Sequence, residues 1–220
     1  MRQKRRFFIY EKCCKFEKHF KRNGMQEFLI YFNMGLKHVL DITAYDHVVF
    51  LFALLIPYTF KDWKRVFLLL SLFTLGHTFA LILSVFGIVS ISIAIVEFLI
   101  PITILITALY HLFTAGKSAK KDTITFVAFI TVCFGLIHGL GFSNYFNTIM
   151  VGSGMSKLVP LLEFALGIET AQLIVVLAVL LLAYILQTFF RFSKRDWALV
   201  LSGCIIGVVL PMILQSEILK

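Results

Sequence analysis

The sequence predicts an all-α fold: a polytopic membrane helical bundle of about seven transmembrane helices, with the N-terminus cytoplasmic. Three observations carry that expectation. Hydrophobic residues make up 60% of the 220 positions and charged residues only 15%, which places the chain outside the range of soluble domains. The apolar residues lie in long runs separated by short polar loops, and about 20 apolar residues suffice to cross a bilayer core. The basic residues are confined to one terminal arm and to loops, the distribution by which membrane helices are oriented.

Residues 1–25 are expected to form a basic cytoplasmic arm, and residues 26–220 a single transmembrane domain. Nine of the 21 Lys and Arg residues fall in the first 22 positions, among Phe7, Phe8, Phe16 and Phe20. Such an arm suits the surface of an anionic leaflet. The net charge of +9 is therefore assigned to topology and membrane lipid. Nucleic acid is not expected as a partner, because the aromatic residues sit in apolar runs away from the basic ones. Phe7-Phe8-Ile9-Tyr10 is too short for the apolar core of a cleavable signal, and none is expected.

Helices are expected near 26–42, 45–60, 65–87, 91–115, 123–150, 159–190 and 196–217. The first is short and carries Lys37, His38 and Asp41, so hydropathy alone would discard it. Charge favours keeping it. Lys61, Lys64 and Arg65 share one loop, Lys117, Lys120 and Lys121 a second, and Arg191, Lys194 and Arg195 a third. If the first segment spans, the arm and all three loops face the cytoplasm, and Trp63 and Trp197 mark the inner interface. If it does not, the arm lies opposite the loops. Gly35-Leu36-Lys37-His38 echoes Gly135-Leu136-Ile137-His138, on helices that would run the same way. Seven spans do not divide evenly, and the echo is read as coincidence.

Polar groups inside these segments carry the chemistry. His38 and Asp41 close the first helix, and Asp46 and His47 open the second. His77, Glu97, His138 and Glu169 follow on the next four helices, and each ionisable group inside a bilayer costs on the order of 2.5–3.5 kcal/mol. Nearly all fall in the outer half of the membrane or at its midplane, a bias that scattered structural polar groups would not show. Taken singly, His77 fits a helix-to-helix hydrogen bond, Gln172 fits interhelical glue, Glu163 lies near enough to the surface to be solvated, and His111 fits an interfacial histidine. Gly139 and Gly141 beside His138 allow either close helix approach or a loosened backbone. The expected metal ligands are His38, Asp41, Asp46, His47, His77, His138, Glu97 and Glu169, with Gln172 and Thr78 supporting them.

Imidazoles and carboxylates without a thiolate suit a divalent transition metal such as nickel, zinc or ferrous iron. The four cysteines, Cys13, Cys14, Cys133 and Cys204, have no ligand spacing and read as inert thiols. Asp41 lies one turn beyond His38 and is placed to orient it. Asp46 and His47 would point about 100° apart on a helix, so Asp46 is expected to orient a different histidine or to ligate directly.

These motifs resemble the HupE/UreJ family of hydrogenase and urease accessory membrane proteins. The resemblance rests on Gly35 to Asp41, Tyr45 to Phe50, Gly76-His77-Thr78, Phe134 to Phe142 and Glu163 to Gln172, and covers roughly residues 28 to 185. It implies a multi-span permease, described as taking up nickel. His38, Asp46, His47, His77 and His138 carry over as metal-pathway residues, with Glu169 and Gln172. The interval from His38 to Asp46-His47 is longer here than in familiar members.

Three functions follow from the residues. The first is a metal-ion permease, with the outward ligand bias serving capture; no polar chain continues inward apart from His111 and Thr107. The second is an intramembrane zinc hydrolase, in which an open metal position activates water and a spare carboxylate acts as base. The third is an accessory subunit whose metal is structural and whose helices dock a membrane protein or a second copy. The permease, in a bacterial-type inner membrane, fits best. Glu97 and Glu169 are candidates for proton coupling.

Overall fold

A computed structural model describes residues 24–41, 45–115, 121–149 and 157–219. Of the basic arm only Gly24 and Met25 fall among them. The described residues form seven helices and no strand: α1 (Gly24–Leu40), α2 (Asp46–Leu55), α3 (Trp63–Val85), α4 (Ile93–Thr114), α5 (Lys121–Ile149), α6 (Leu158–Thr188) and α7 (Lys194–Leu214). The all-α membrane bundle is thus observed. Helices α3, α4, α6 and α7 are long and apolar enough to cross a membrane, and the 29 residues of α5 extend about 43 Å. Large apolar side chains such as Phe67, Leu75, Phe79 and Leu177 are exposed on the outside of the bundle, where lipid would cover them.

The first two helices depart from expectation. At 17 and 10 residues, α1 and α2 are about 25 Å and 15 Å long, each short of a bilayer core. Their ring contacts fix their directions. Tyr31, two turns before His38, touches Phe146, two turns after His138, and Phe146 touches Phe164 near the start of α6. So α1 enters from the face where α5 ends and α6 begins. Helix α2 then runs on the same way: His47 lies against His138 and Phe50 against Phe134, one turn earlier on α5. Beyond it Phe60 meets Tyr184 near the end of α6. The two segments expected as separate spans are two halves of one interrupted path, which gives six paths through the bundle.

This corrects the expected orientation as well. Gly24, where the described residues begin, stands on the face opposite Lys61, Lys64 and Arg65 and opposite Arg191, Lys194 and Arg195, so the start of the first helix and those loops do not share a face. The rest of the expected arm lies outside the described residues. Of the two tryptophans expected at the interface, Trp63 is exposed and Trp197 is buried.

Two pairs of helices cross at glycine. A Cβ on Gly35 would meet Phe164 O and Ile168 N of α6, and one on Gly167 would meet Phe32 O and Leu36 N of α1. The same pattern joins α3 and α5: Gly76 meets Val132 O and Leu136 N, and Gly135 meets Phe73 O and His77 N. In all four cases the contacts are the residues three before and one after the partner glycine. Gly139 continues the second crossing by packing on the His77 carbonyl and Ala80, as small residues in membrane helices do. Close approach is therefore the use of Gly139, and α5 remains unbroken beside His138.

The repeated pattern relates the two halves of the chain. Path by path, α1 with α2 corresponds to α5, α3 to α6, and α4 to α7, and each pair runs in opposite directions. Gly35-Leu36-Lys37-His38 thus matches Gly135-Leu136-Ile137-His138 on antiparallel helices. Phe73-Thr74-Leu75-Gly76-His77-Thr78-Phe79-Ala80 matches Phe164-Ala165-Leu166-Gly167-Ile168-Glu169-Thr170-Ala171, with Phe, Leu, Gly and Ala at the same places. The echo between the glycine-histidine segments belongs to an inverted repeat of three paths and three.

Candidate metal centre

The site forms where the interrupted path meets the two glycine crossings. His38 lies in the last turn of α1 and Asp46 and His47 in the first turn of α2. His77 and His138 come from the middles of α3 and α5. Ring centroids are 4.6 Å apart for His38 and His47, 4.1 Å for His47 and His138, 6.0 Å for His38 and His77, and 6.4 Å for His47 and His77. One donor atom from each of His38, His47 and His77 falls within 4.8 Å of the others, and the same holds for Asp46, His47 and His138. His47 belongs to both groups and is the hinge of the cluster.

Burial makes this cluster costly as it stands. His47, His77 and His138 are 3%, 0% and 3% exposed. Six ring nitrogens have no hydrogen-bond partner: Nε2 of His38 and His47 and both nitrogens of His77 and His138. Each buried unsatisfied polar group costs about 1–3 kcal/mol. A cation accepting their lone pairs would remove that penalty, and the donor set fits one.

Asp46 sits at the first position of α2, where backbone amides lack helical partners. Its Oδ1 accepts from the His47 amide at 2.8 Å and lies 3.0 Å from His47 Nδ1. Its Oδ2 is 3.8 Å from His138 Nε2. The expectation that Asp46 serves a different histidine is therefore half met. At a helix start the carboxylate folds back onto its own neighbour, fixing Nδ1 of His47 as the protonated nitrogen and leaving Nε2 for a metal. The helix ends matter too. The carbonyl end of α1 favours a cation here, the amide end of α2 opposes it, and Asp46 offsets that opposition.

The other predicted ligands fall outside these two groups. Asp41 follows the end of α1 and is exposed, and Glu97 is exposed one turn into α4; neither belongs to the two donor groups. Glu169 is half-buried and accepts a hydrogen bond from Ser71 at 2.8 Å. Gln172 is buried and accepts from Thr74 at 3.3 Å. Thr78 is half-buried beside His77. Glu169 and Gln172 face hydroxyls of α3 in place of imidazoles.

Two aromatic groups went unnoticed in the sequence reading. On one side of the cluster Phe142, Phe146 and Phe164 pack together, with Phe142 and Phe164 stacked at 4.9 Å and Phe142 lying 4.1 Å from His38. On the other side Phe50, Phe73 and Phe134 pack together, with Phe50 and Phe134 stacked at 3.6 Å and Phe134 lying 4.2 Å from His138. The signal was present as spacing: Phe134, His138, Phe142 and Phe146 recur every four residues, one helical face. Phe73 and Phe164, each three residues before a crossing glycine, are counterparts in the repeat and stand in opposite triads. The imidazoles lie between them, with His38 and Asp46 half-buried at the interruption.

The family model for HupE / UreJ protein matches residues 15–216. No curated protein and no solved structure matches the chain. The chain belongs to the HupE/UreJ family, and with its apolar helices and histidine cluster it is a membrane protein with a metal-related role.

Proposed function

From that membership as premise, we propose that the protein is a permease for a divalent transition-metal ion, nickel or zinc, with His38, Asp46, His47, His77 and His138 as the midway station for the ion. The observation that carries this reading is the position of the imidazole cluster. It lies between the halves of an inverted repeat, at an interrupted helix, with an aromatic plug on either side. Transporters built from inverted repeats hold their cargo near the midplane at such interruptions and expose it to each face in turn. A metal-dependent hydrolase or a purely structural metal would have no use for the repeat.

The ion enters from the face of Gly24 and the α5–α6 turn, exchanging hydration waters for imidazole nitrogens as the outer triad parts. His47 reaches it first through Nε2, its ring held by Asp46. The inner triad parts when the α1–α6 pair and the α3–α5 pair rock against each other about their glycine crossings. The loops bearing Lys61, Lys64, Arg65, Arg191, Lys194 and Arg195 face the cytoplasm, in agreement with the charge rule for short loops, and the membrane is a bacterial-type inner membrane.

Uptake of labelled nickel or zinc by sealed vesicles tests the reading. The parent is expected to accumulate ion and His47→Ala to lose that accumulation while remaining folded. A His47→Ala protein that imports as well as the parent would overturn the proposal.

A further inference from the structure

Between the imidazoles and the basic-loop face the direct way is closed by Phe50, Phe73 and Phe134. These rings are each 1% exposed or less. A polar seam runs beside them. One turn before His77 on α3, Thr74 donates to Gln172 Oε1 at 3.3 Å, and nearly one turn further Ser71 donates to Glu169 Oε1 at 2.8 Å. Both pairs bridge α3 and α6. Thr74 and Gln172 are 5% and 1% exposed, so the seam is interior, and it starts beside the ring of His77, which also lies 6.2 Å from Phe164 of α6.

We infer that this seam holds a second, weaker cation station, with the Glu169 carboxylate as its charged ligand and Gln172, Ser71 and Thr74 supplying neutral oxygens, that receives the ion as it leaves the imidazoles. The chemistry differs from the first site in the direction that release requires. All four groups offer oxygen, and oxygen donors hold late transition ions less firmly than imidazole does. A pathway needs sites weak enough to leave as well as strong enough to enter. The hydroxyls of Ser71 and Thr74 can turn their lone pairs to a cation once it replaces the hydrogen bonds they now donate. A carboxylate inside a membrane helix is costly and in general marks an ion pathway. The repeat sharpens the point. The counterpart of Glu169 in α3 is Thr78, so among the described residues the repeat gives the outer side no matching carboxylate, which places the station on the inward route.

The direction of flow rests on the permease reading; the station itself does not. Equilibrium dialysis of the purified protein with nickel chloride tests it. The parent is expected to bind one ion tightly and a second at least tenfold more weakly. Glu169→Gln should keep the tight ion, which also reports an intact fold, and weaken the second by tenfold or more, with Glu169→Asp restoring part of it. His47→Ala should lose the tight ion. A parent without the weaker ion, or a Glu169→Gln protein that retains it unchanged, or one that loses the tight ion, would overturn the inference. In sealed vesicles Glu169→Gln should slow nickel uptake by about the same factor. A parent that binds both ions and imports none would overturn the permease reading and leave the station standing.

Discussion

The two halves of the chain share a scaffold and divide the chemistry unequally. Each half contributes a glycine followed three residues later by a histidine, Gly35 with His38 and Gly135 with His138, and each contributes a phenylalanine three residues before its other crossing glycine. Yet His47, Asp46 and His77 all come from the first half, and Ile168 stands where the second half would match His77. The glycine crossings, which need close backbone approach, recur in both. Ligands need to occur once only, because a single ion is shared. The interruption between α1 and α2 likewise has no counterpart in α5, which stays helical from Lys121 to Ile149. Symmetry therefore belongs to the moving parts and asymmetry to the cargo.

That contrast can be broken at several points. The largest effect is expected from His47→Ala, because His47 belongs to both donor groups: metal affinity should fall by about 100-fold or more, read by competition with a metallochromic dye, against about tenfold for His138→Ala. If the two losses are equal, the cluster is not centred on His47. Next come the plugs. Phe164→Ala and Phe73→Ala should each cost roughly 3–5 kcal/mol of stability as buried phenylalanine truncations, measured by thermal unfolding in detergent. They should also differ in sidedness: a cysteine placed at His38 should react with an impermeant thiol reagent from the Gly24 face in the first and from the basic-loop face in the second. Reaction from the same face in both would dissolve the two-plug reading.

Smaller effects probe the scaffold and the supports. Gly35→Val and Gly76→Val should destabilise alike, by about 1–3 kcal/mol as overpacked contacts; an effect confined to one of them would separate the two crossings. Asp46→Asn should weaken metal binding by about tenfold through the freed ring of His47. Thr78→Ala should change binding and uptake by less than about twofold, since the residue only marks where the second half has Glu169.

Much of the centre could be read from residue types. Four imidazoles and Asp46 in an apolar chain had to meet one another or something else, and His38, His47, His77 and His138 do meet. What failed was direction. Hydropathy cannot distinguish two short spans from one interrupted path, because both leave an apolar run of the same total length around residues 41–45. Charge could not decide either: the arm carries nine basic residues, as many as Lys61, Lys64, Arg65, Lys117, Lys120, Lys121, Arg191, Lys194 and Arg195 together. The wrong direction for α1 then hid the repeat, since its two glycine-histidine segments were taken to run the same way. Asp41 and Glu97, placed by proximity in sequence and by depth, fall outside the two donor groups. Only the crossing of α3 with α6 could show that Glu169 and Gln172 serve hydroxyls.

Asp46 is the one carboxylate in the two donor groups among the described residues, and this has an electrical consequence. With neutral rings, the vacant centre carries about one negative charge and the centre holding a divalent ion about one positive charge. A potential negative on the basic-loop side would pull the loaded centre inward and push the vacant one outward, by roughly 2.3 kcal/mol per charge for each 100 mV it traverses. Both strokes of the cycle would then draw on the resting voltage.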